Sequence, residues 1–437
     1  MNLADSLNLA CACQTLEPGR LREQLEHSPA LAGLTAQLAT SHPHLFASTA
    51  VFLDQRTCAA IGQAVASIER AIALPAYQDH TLAQSPAIAQ QAFGPTGVFM
   101  GCDFHIDADG PRLIEINTNA GGALLNAALA RAHRACCATM DAKFASGPDA
   151  RASDETFMDM FRNEWQLQRG GAPLRSVLIV DDQPEAQFLA PEFALARELF
   201  RAHGLRAEVA DASTLVWRDG ALWHPALPAG TPVDMVYNRL TDFDLSEARH
   251  AALRQAYLGK AVVLTPHPRA HALFADKRNL ITLSNDALLA RWGLSATDRQ
   301  RLHRVVPNTQ AVTPDRADAL WAQRRGLFFK PARGYGAKAA YRGDKLTRGV
   351  WQHILADGGF VAQALVPPSE RLVLVGDELK RLKLDIRAYT YQGHIQLLAA
   401  RLYAGQATNM RTNSGGFSPV IVLPALPDTL PEPCLTP

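Results

Sequence analysis

The apolar positions divide the chain into a helical first part and a β-rich remainder. Residues 1–95 are rich in alanine, leucine and glutamine at helical spacing, as in QAVASIERAIAL, and carry no strong chemical motif. From residue 97 onward, two apolar runs bracket the turn sequence DADG, which predicts a β-hairpin. We therefore expect an N-terminal helical segment over 1–95, and a hairpin followed by an alanine-rich helix over 96–150.

The middle of the chain alternates between strand and helix patterns. The run SVLIVDDQPE predicts a strand and a polar loop, FALARELFRAHG a helix ending at Gly204, and RAEVAD the next strand. VDMVYNRL and KAVVLTP add two further strands. This alternation is typical of a parallel sheet, so we predict an α/β domain over 175–265.

The last third is predicted to be mainly β-structure. GLFFKPARGYGAKAAY, GGFVAQALVPP, RLKLDIRAYTYQGHIQLLAARLY and NMRTNSGGFSPVIVL form a largely antiparallel series within 266–423. The proline-rich end, 424–437, is expected to be extended and poorly ordered. The predicted fold class therefore combines α+β and α/β parts.

Composition and charge narrow the possible functions. A chain of 437 residues exceeds the usual size of one hydrophobic core, so two or three domains are expected. The 43 Lys+Arg nearly balance the 42 Asp+Glu, which argues against a general nucleic-acid binder. We find neither a secretory signal pattern nor an apolar run of about 18 residues. Seven cysteines without a C-x-x-C pair favour reduced thiols, and we expect a cytoplasmic protein.

Polar residues mark the predicted hairpin as a candidate site. Glu115 and Asn117 lie two residues apart, so their side chains point to the same face of the second strand. Asp103 lies on the first strand, and the sequence NAGG that follows Asn117 has little side-chain bulk. A large ligand could therefore approach the backbone beside these oxygen-bearing side chains.

Two lysines and a glycine-rich loop are candidates for phosphate binding. In FFKPARGYGAKA, Lys330 ends an apolar strand and precedes Gly334 and Gly336, so backbone N–H groups could surround phosphates that the lysine neutralises. A surface hairpin with a chance lysine has the same pattern. Lys277, in ADKRNL, lies at a predicted helix start, where a solvated lysine is the ordinary explanation.

The C-terminal strands contribute a second polar group. LKLDIRAYTY places Asp385 and Arg387 on one strand face, where a cross-strand salt bridge is an equally good explanation. NMRTNSGG adds the donors Arg411 and Asn413 beside a glycine pair, and an ordinary loop would have the same composition.

Taken together, these segments resemble the ATP-grasp superfamily of carboxylate–amine ligases. LDIRAYTY followed by NMRTNSGG resembles the ligases that add glutamate to ribosomal protein S6, and GCDFHIDADGPRLIEINTNAGG resembles the metal-binding hairpin of the superfamily. That hairpin precedes the other segment here, as in eukaryotic-type glutathione synthetases and other circularly permuted members. SVLIVDDQPE and VDMVYNRLTDF also resemble segments of those synthetases, so the likeness spans roughly residues 95–422.

The resemblance implies a circularly permuted ATP-grasp fold with an inserted parallel-sheet substrate domain, and it implies roles for specific residues. Asp103, Glu115 and Asn117 would hold two Mg²⁺ ions, which prefer oxygen ligands. The loop 333–338 would close over the phosphates, and the segment 361–366 would edge the adenine, with Gln363 where many relatives have glutamate. The nucleotide set is Lys277, Lys330, Gly334, Gly336, Gln363, Val366 and Asp385; the catalytic set is Arg387, Arg411 and Asn413; the substrate set is Arg239, Asn119, Gly415 and Gly416.

The implied reaction is ATP-dependent amide formation through an acyl phosphate, with small-molecule or peptide carboxylate and amine substrates. Arg239 is the candidate for binding a substrate carboxylate, although a domain-linking salt bridge would equally explain it. ARGYGAKA lacks the triple-glycine loop of eukaryotic glutathione synthetases, so glutathione is not implied as the product. Two alternatives stay open: a glutathionylspermidine-type ligase with a polyamine or peptide substrate, and a catalytically silent ATP-binding scaffold. A homodimer is the candidate assembly.

Overall fold

The computed structural model describes residues 2–133, 150–334 and 339–424. Predictions for Gly336 and for nearly all of the proline-rich end fall outside these ranges. No helix among the described residues is long and apolar enough to cross a membrane.

The described strands are numbered in chain order. They are β1 (Val51–Asp54), β2 (Met100–Asp107), β3 (Gly110–Asn117), β4 (Ser176–Asp181), β5 (Arg206–Asp211), β6 (Val216–Arg218), β7 (Ala221–Trp223), β8 (Met235–Asn238), β9 (Val263–Thr265), β10 (Thr309–Ala311), β11 (Leu327–Pro331), β12 (Tyr341–Arg342), β13 (Phe360–Ala364), β14 (Ser369–Val375), β15 (Glu378–Tyr391), β16 (His394–Tyr403) and β17 (Gly416–Leu423).

The described α-helices are numbered in the same way. They are α1 (Leu3–Ala10), α2 (Pro18–Leu25), α3 (Leu34–Ser41), α4 (Gln55–Ile72), α5 (Pro75–Leu82), α6 (Ala123–Ala132), α7 (Ala150–Arg169), α8 (Ala190–Ala202), α9 (Ala251–Leu258), α10 (Pro268–Ala270), α11 (Asn279–Leu283), α12 (Asp286–Arg291), α13 (Ala296–Val305), α14 (Ala317–Gln323) and α15 (Arg348–Asp357). A π-helical turn, His271–Ala275, follows α10 directly.

A seven-stranded sheet carries the predicted hairpin and the C-terminal strands. Its path is β1-β17-β16-β15-β2-β3, and β14 pairs with the first half of β15. The β2–β3 hairpin is confirmed, with Gly110 at φ +119° in the turn, where a residue with a Cβ would be strained. Strand β1 was not predicted, because its short apolar run merges with helix α4, which begins at Gln55. It pairs in parallel with β17 and so ties the N-terminal segment to the sheet.

Two four-stranded sheets are formed by strands that lie between β3 and β14 in the sequence. The order β5-β4-β8-β9 is parallel throughout, as the alternating strand and helix pattern predicted. Strands β10-β13-β11-β12 form an antiparallel sheet. The carboxyl ends of β4 and β8 carry Asp181 and Arg239, and ligands of open parallel sheets bind beside such strand ends.

Separate apolar cores cover the two faces of the large sheet. One core joins residues of α2, α3, α6, α7 and α8 to the inner faces of the large and parallel sheets, with Tyr237 and Tyr389 among its members. The second core packs α4, α5 and the helices of 271–305 against the opposite face, around Phe104 and Leu113. Because both faces are covered, the polar residues of β2, β3 and β15 face a cavity rather than bulk solvent.

Two buried charged side chains connect distant segments. Arg371 on β14 donates to the main-chain oxygens of Ala50 at 2.8 Å and Asn8 at 3.1 Å, which fixes the C-terminal end of α1. His250 lies between Asp182 Oδ1 at 2.9 Å and Asp242 Oδ2 at 2.7 Å. Burial would lower the pKa of His250, but the hydrogen bonds to the two carboxylates outweigh it and raise the pKa. This link therefore weakens as the pH rises through that raised pKa.

Candidate active site

A cavity of about 580 Å³ lies where residues of the seven-stranded sheet and of both four-stranded sheets meet. This volume is typical of a cofactor or substrate pocket. The wall comes from segments more than 200 residues apart in the sequence, because β2 pairs with β15 in the large sheet and β3 pairs with β2. The predicted site residues on this wall are Asp103, Glu115, Asn117, Asn119, Arg239, Lys277, Lys330, Gly334, Gln363, Val366, Asp385 and Arg387.

Asp103 holds two arginines at the centre of the wall. Asp103 on β2 lies directly across from Arg387 on β15 in the strand register. The Nε and Nη2 atoms of Arg387 each donate to the carboxylate at 2.7 Å, and Arg401 Nη2 donates to Oδ2 at 2.7 Å. All three side chains are nearly inaccessible to solvent. Such fork-like pairing fixes both guanidinium planes.

The protonation of Asp103 follows from these contacts. Burial alone would raise the pKa of Asp103, but the positive charges of Arg387 and Arg401 outweigh burial and lower it to about 2. Asp103 is therefore a carboxylate at neutral pH, and the two arginines keep their charge. The contribution of this cluster to stability is present at neutral pH and is lost as the pH falls toward 2.

Arg401 extends the cluster to Asp385. Its Nε donates to Asp385 Oδ1 at 2.7 Å, and the hydroxyl of Thr408 donates to the other oxygen of Asp385. The predicted cross-strand salt bridge thus forms, but Asp385 pairs with Arg401 and Arg387 pairs with Asp103. The positive charges of both arginines remain on the cavity wall.

Glu115 and Asn117 form the second polar group of the hairpin. The Asn117 amide nitrogen donates to Glu115 Oε1 at 3.2 Å and to Asp103 Oδ2 at 3.3 Å, so the three predicted metal ligands converge. Glu115 Oε2 lies 3.9 Å from Lys277 Nζ. Burial would raise the pKa of Glu115, but the charges of Lys277, Lys330 and Arg401 together outweigh burial and lower it.

Lys330 is a buried cation at the edge of this group. Its Nζ donates to the main-chain oxygen of Ile114 at 2.7 Å and to Gln363 Oε1 at 2.8 Å. Burial lowers the pKa of Lys330 to about 8. Gln363 Nε2 donates in turn to the oxygen of Leu113 at 3.4 Å, so both polar atoms of the Gln363 side chain are engaged. Gln363 therefore holds Lys330 against β3.

Lys277 and Val366 complete the predicted nucleotide set. Lys277 Nζ donates to the main-chain oxygen of Gly334 at 3.0 Å, which holds the first residues of the loop that follows β11. The main-chain oxygen of Val366 lies 2.8 Å from His105 Nδ1. Both contacts lie at the cavity wall.

The strand ends of the parallel sheet form the other part of the wall. Arg239 is 6% exposed, and its Nη1 donates to the Tyr237 hydroxyl at 3.3 Å, while its Nε has no hydrogen-bond partner. The Oδ1 atom of Asn119 is buried and also lacks a partner. Among the described residues, no salt bridge involves Arg239, so the predicted domain-linking alternative does not form. Arg239 and Asn119 both line the cavity, and each has one buried side-chain atom without a partner.

Some predicted residues do not reach the cavity. Arg411 and Asn413 are exposed and lie outside the wall, because their segment turns back to pair as β17. Gly415 and Gly416 also lie outside it. A Cβ at Gly416 would lie 2.3 Å from the oxygen of His44, so packing explains that glycine. Gly336 lies outside the described residues.

Several wall residues were not predicted from the sequence. His271 stacks on Phe243 with ring centres 3.7 Å apart and an interplanar angle of 8°. Burial lowers the pKa of His271 to about 3, so the ring is neutral at neutral pH. The remaining unpredicted polar wall residues include Arg401, Asp181, Thr408, His105 and Gln187.

The donor set of the hairpin fits a hard divalent cation. It consists of two carboxylates and one amide, and Mg²⁺ binds a few such oxygen atoms together with phosphate and water. The amide nitrogen of Asn117 lies between the carboxylates, and rotation of the amide would present its oxygen to the same point. Glu115 Oε2 accepts no hydrogen bond from the described residues, whereas both oxygens of Asp103 accept hydrogen bonds from arginines.

Comparisons with known proteins identify the fold. No protein-family model matches the sequence, and no curated protein matches it. A glutathione synthetase-like effector from Globodera pallida aligns over 93% of this chain and 98% of its own, with a TM-score of 0.56 and 11% identity. A gamma-glutamylcysteine synthetase-like protein from Methylobacillus flagellatus KT aligns over 81% and 84% of the two chains, with a TM-score of 0.44 and 11% identity. The chain has a mixed α/β fold that is similar to that of the glutathione synthetase-like effector.

Proposed function

We propose that this chain, with its fold similar to that of ATP-grasp ligases, is an ATP-dependent carboxylate–amine ligase that forms an amide bond through an acyl phosphate. The observation that supports this most strongly is the convergence of four cationic side chains and three acidic ones around β3 and the adjoining part of the sheet, among the charged residues of one cavity. The cations are Lys277, Lys330, Arg387 and Arg401, and the acids are Asp103, Glu115 and Asp385. Closely spaced charges of both signs suit a ligand that carries phosphates and metal ions.

Lys277 and Lys330 would neutralise the nucleotide phosphates. Both lie beside β3 at the start of the 333–338 loop, and Lys330 is held in place by two hydrogen bonds. Val366 and its neighbours would edge the adenine. When bound to Asp103, Glu115 and Asn117, Mg²⁺ would neutralise charge on the phosphates.

Arg387 and Arg401 would stabilise the transferring phosphoryl group. Asp103 fixes both guanidinium groups before any ligand binds, so little reorganisation is required as negative charge develops. In the first step, an oxygen of the substrate carboxylate attacks the γ-phosphorus of ATP, and ADP leaves. In the second step, the amine attacks the carbonyl carbon of the acyl phosphate, the C–N bond forms, and phosphate leaves.

Arg239 would bind a carboxylate group of the substrate. Its Nε is buried without a partner, and its guanidinium lies on the cavity wall beside Asn119. A bidentate pair with a carboxylate would satisfy this donor. The circular permutation, the insertion of the parallel-sheet domain, the cytoplasmic location and the homodimer remain predictions.

The proposal predicts that hydroxylamine traps the acyl phosphate. With the purified protein, ATP and Mg²⁺, ADP release is measured across amino acids, dipeptides and polyamines, and the active acid is then incubated with hydroxylamine. We expect one hydroxamate to form for each ADP, because hydroxylamine replaces the amine.

Acid-dependent ADP release without hydroxamate would contradict the mechanism. ATP binding without any ADP release would instead favour the silent scaffold, and a requirement for a polyamine would favour the glutathionylspermidine-type alternative.

A further inference from the structure

Asp181 presents one unengaged carboxylate oxygen to the cavity. It is the last residue of β4 and is 8% exposed. The main-chain N–H of Asp182 donates to Oδ1 at 2.8 Å, which fixes the orientation of the carboxylate. Oδ2 makes no hydrogen bond to the described residues, and Asp181 lines the cavity. The side chain is therefore held in place with one oxygen available to a ligand.

Asp181 lies near Arg239, and Arg239 and Arg387 contact the same segment of the chain. The main-chain N–H of Arg239 donates to the oxygen of Val180 at 2.8 Å, so Asp181 and Arg239 leave neighbouring strands side by side. A Cβ built on Gly121 would lie 2.7 Å from Arg239 Nη2, and a Cβ built on Gly101 would lie 2.6 Å from the Ala120 Cβ and 3.4 Å from Arg387 Nε. Arg239 and Arg387 thus both lie close to residues 120–121. Asp181 is close enough to Arg239 for their charges to interact.

The charges around Asp181 make it a suitable base. Burial raises the pKa of Asp181 to about 6, although the main-chain hydrogen bond from Asp182 and the charges of Arg239 and His250 act in the opposite direction. Asp181 is therefore ionised at neutral pH, with a pKa close to the working pH. A general base is most effective under that condition.

Other titratable groups near the strand ends are less suited to accept a proton. Both oxygens of Glu192 accept main-chain hydrogen bonds from Gly122, at 2.7 and 2.8 Å, so that carboxylate caps the start of α6. His271 has its pKa lowered to about 3 by burial, which makes it a weak base. Asp103 is paired with two arginines.

We propose that Asp181 removes a proton from the ammonium group of the amine substrate, an inference that rests on the proposed ligase function. An ammonium group has no lone pair and cannot attack an acyl phosphate. Transfer of one proton to Asp181 Oδ2 gives the neutral amine, which attacks the carbonyl carbon. The C–N bond forms, the bond to the phosphate oxygen breaks, and the second proton leaves the nitrogen for the departing phosphate. Asp181 then releases its proton to solvent.

The test compares two nucleophiles of equal size with the wild-type enzyme and Asp181→Asn. Hydroxylamine is mostly uncharged at neutral pH, whereas methylamine is an ammonium ion. For the variant we expect N-methylamide formation to fall by about 10² to 10⁴-fold, and hydroxamate formation to fall far less. The wild-type amide rate should level off above the pKa of Asp181, whereas the variant rate should keep rising with pH as free amine accumulates.

The control is Asp211→Asn, and the outcomes separate the two proposals. Asp211 is the register partner of Asp181 on β5, and it caps its own turn outside the cavity wall. We expect this control to retain both rates. Equal losses with the two nucleophiles, or a change in KM for methylamine without a change in kcat, would overturn the role of Asp181. The role of Asp181 would also be overturned if the wild-type enzyme formed the hydroxamate but no N-methylamide. Absence of hydroxamate in the wild type would instead refute the ligase proposal.

Discussion

Replacement of Glu115 by glutamine is expected to lower ADP release by about 10²-fold or more, because a main electrostatic element of the site is lost. The two side chains have nearly the same shape, so the fold should change little. The Glu115 side chain is more exposed than that of Asp103, and its Oε2 lies 3.9 Å from Lys277 Nζ. The variant therefore removes negative charge that lies beside Lys277 and at the proposed metal position. Acid-dependent ADP release, together with a thermal melt, measures both effects.

The matched control for this variant is Glu378→Gln. Glu378 is exposed and pairs with Lys380 at 2.9 Å, away from the cavity. The Glu378→Gln variant should retain wild-type turnover. A folded Glu115→Gln protein with wild-type turnover would remove Glu115 from the active site.

Replacement of Asp103 by asparagine is expected to lower the free energy of unfolding by about 3–5 kcal/mol, since it leaves a buried ion pair without one partner. Two guanidinium groups lose the carboxylate that they share, and only Arg401 retains a second acidic partner, Asp385. Activity should also fall, because Arg387 is no longer oriented. Urea denaturation at neutral pH measures the stability change.

The matched control for Asp103 is Asp286→Asn. Asp286 also pairs with an arginine, Arg299, at 2.8 Å, but its side chain is about half exposed. Solvent-exposed pairs contribute little, so the expected loss is at most about 1 kcal/mol. Similar losses for the two variants would show that the buried cluster does not stabilise the fold.

Local patterns were sufficient to predict the hairpin and the parallel sheet. The turn DADG and the alternation of side chains placed Glu115 and Asn117 on one face of β3, and their contact at 3.2 Å follows from that spacing. The strand and helix rhythm of the middle region likewise predicted parallel pairing. Both inferences depend only on neighbouring residues.

The partner of Asp385 could not be obtained from the sequence. At the turn between β15 and β16, Tyr391 pairs with His394. A regular register from that pair would place Asp385 opposite Ala400. An irregularity between Tyr389 and Thr390 shifts the register by one residue, which brings Arg401 opposite Asp385 instead. Pattern alone does not reveal such a bulge, so Arg401 was missed.

Tertiary contacts also explain why the sequence did not predict the environment of other site residues. The side-chain oxygen of Gln363 accepts a hydrogen bond from the buried Lys330, which the sequence did not predict, and the position of Gln363 at the adenine stays a prediction. Asp181 carries no motif, and its importance depends on the packing of β4 against the large sheet. Arg411 belongs to a motif of the resembled family, yet its side chain is exposed. Its proposed role therefore stays a prediction.

The transfer of oxygen from the acid to phosphate tests the central claim most directly. The acid substrate is prepared with both carboxylate oxygens replaced by a heavy isotope, and the inorganic phosphate made during amide formation is analysed by mass spectrometry. An acyl phosphate requires that one labelled oxygen from each acid molecule appear in the phosphate, because the C–O bond breaks when the amine attacks. Phosphate without label, at a full yield of amide and ADP, would contradict the acyl-phosphate mechanism.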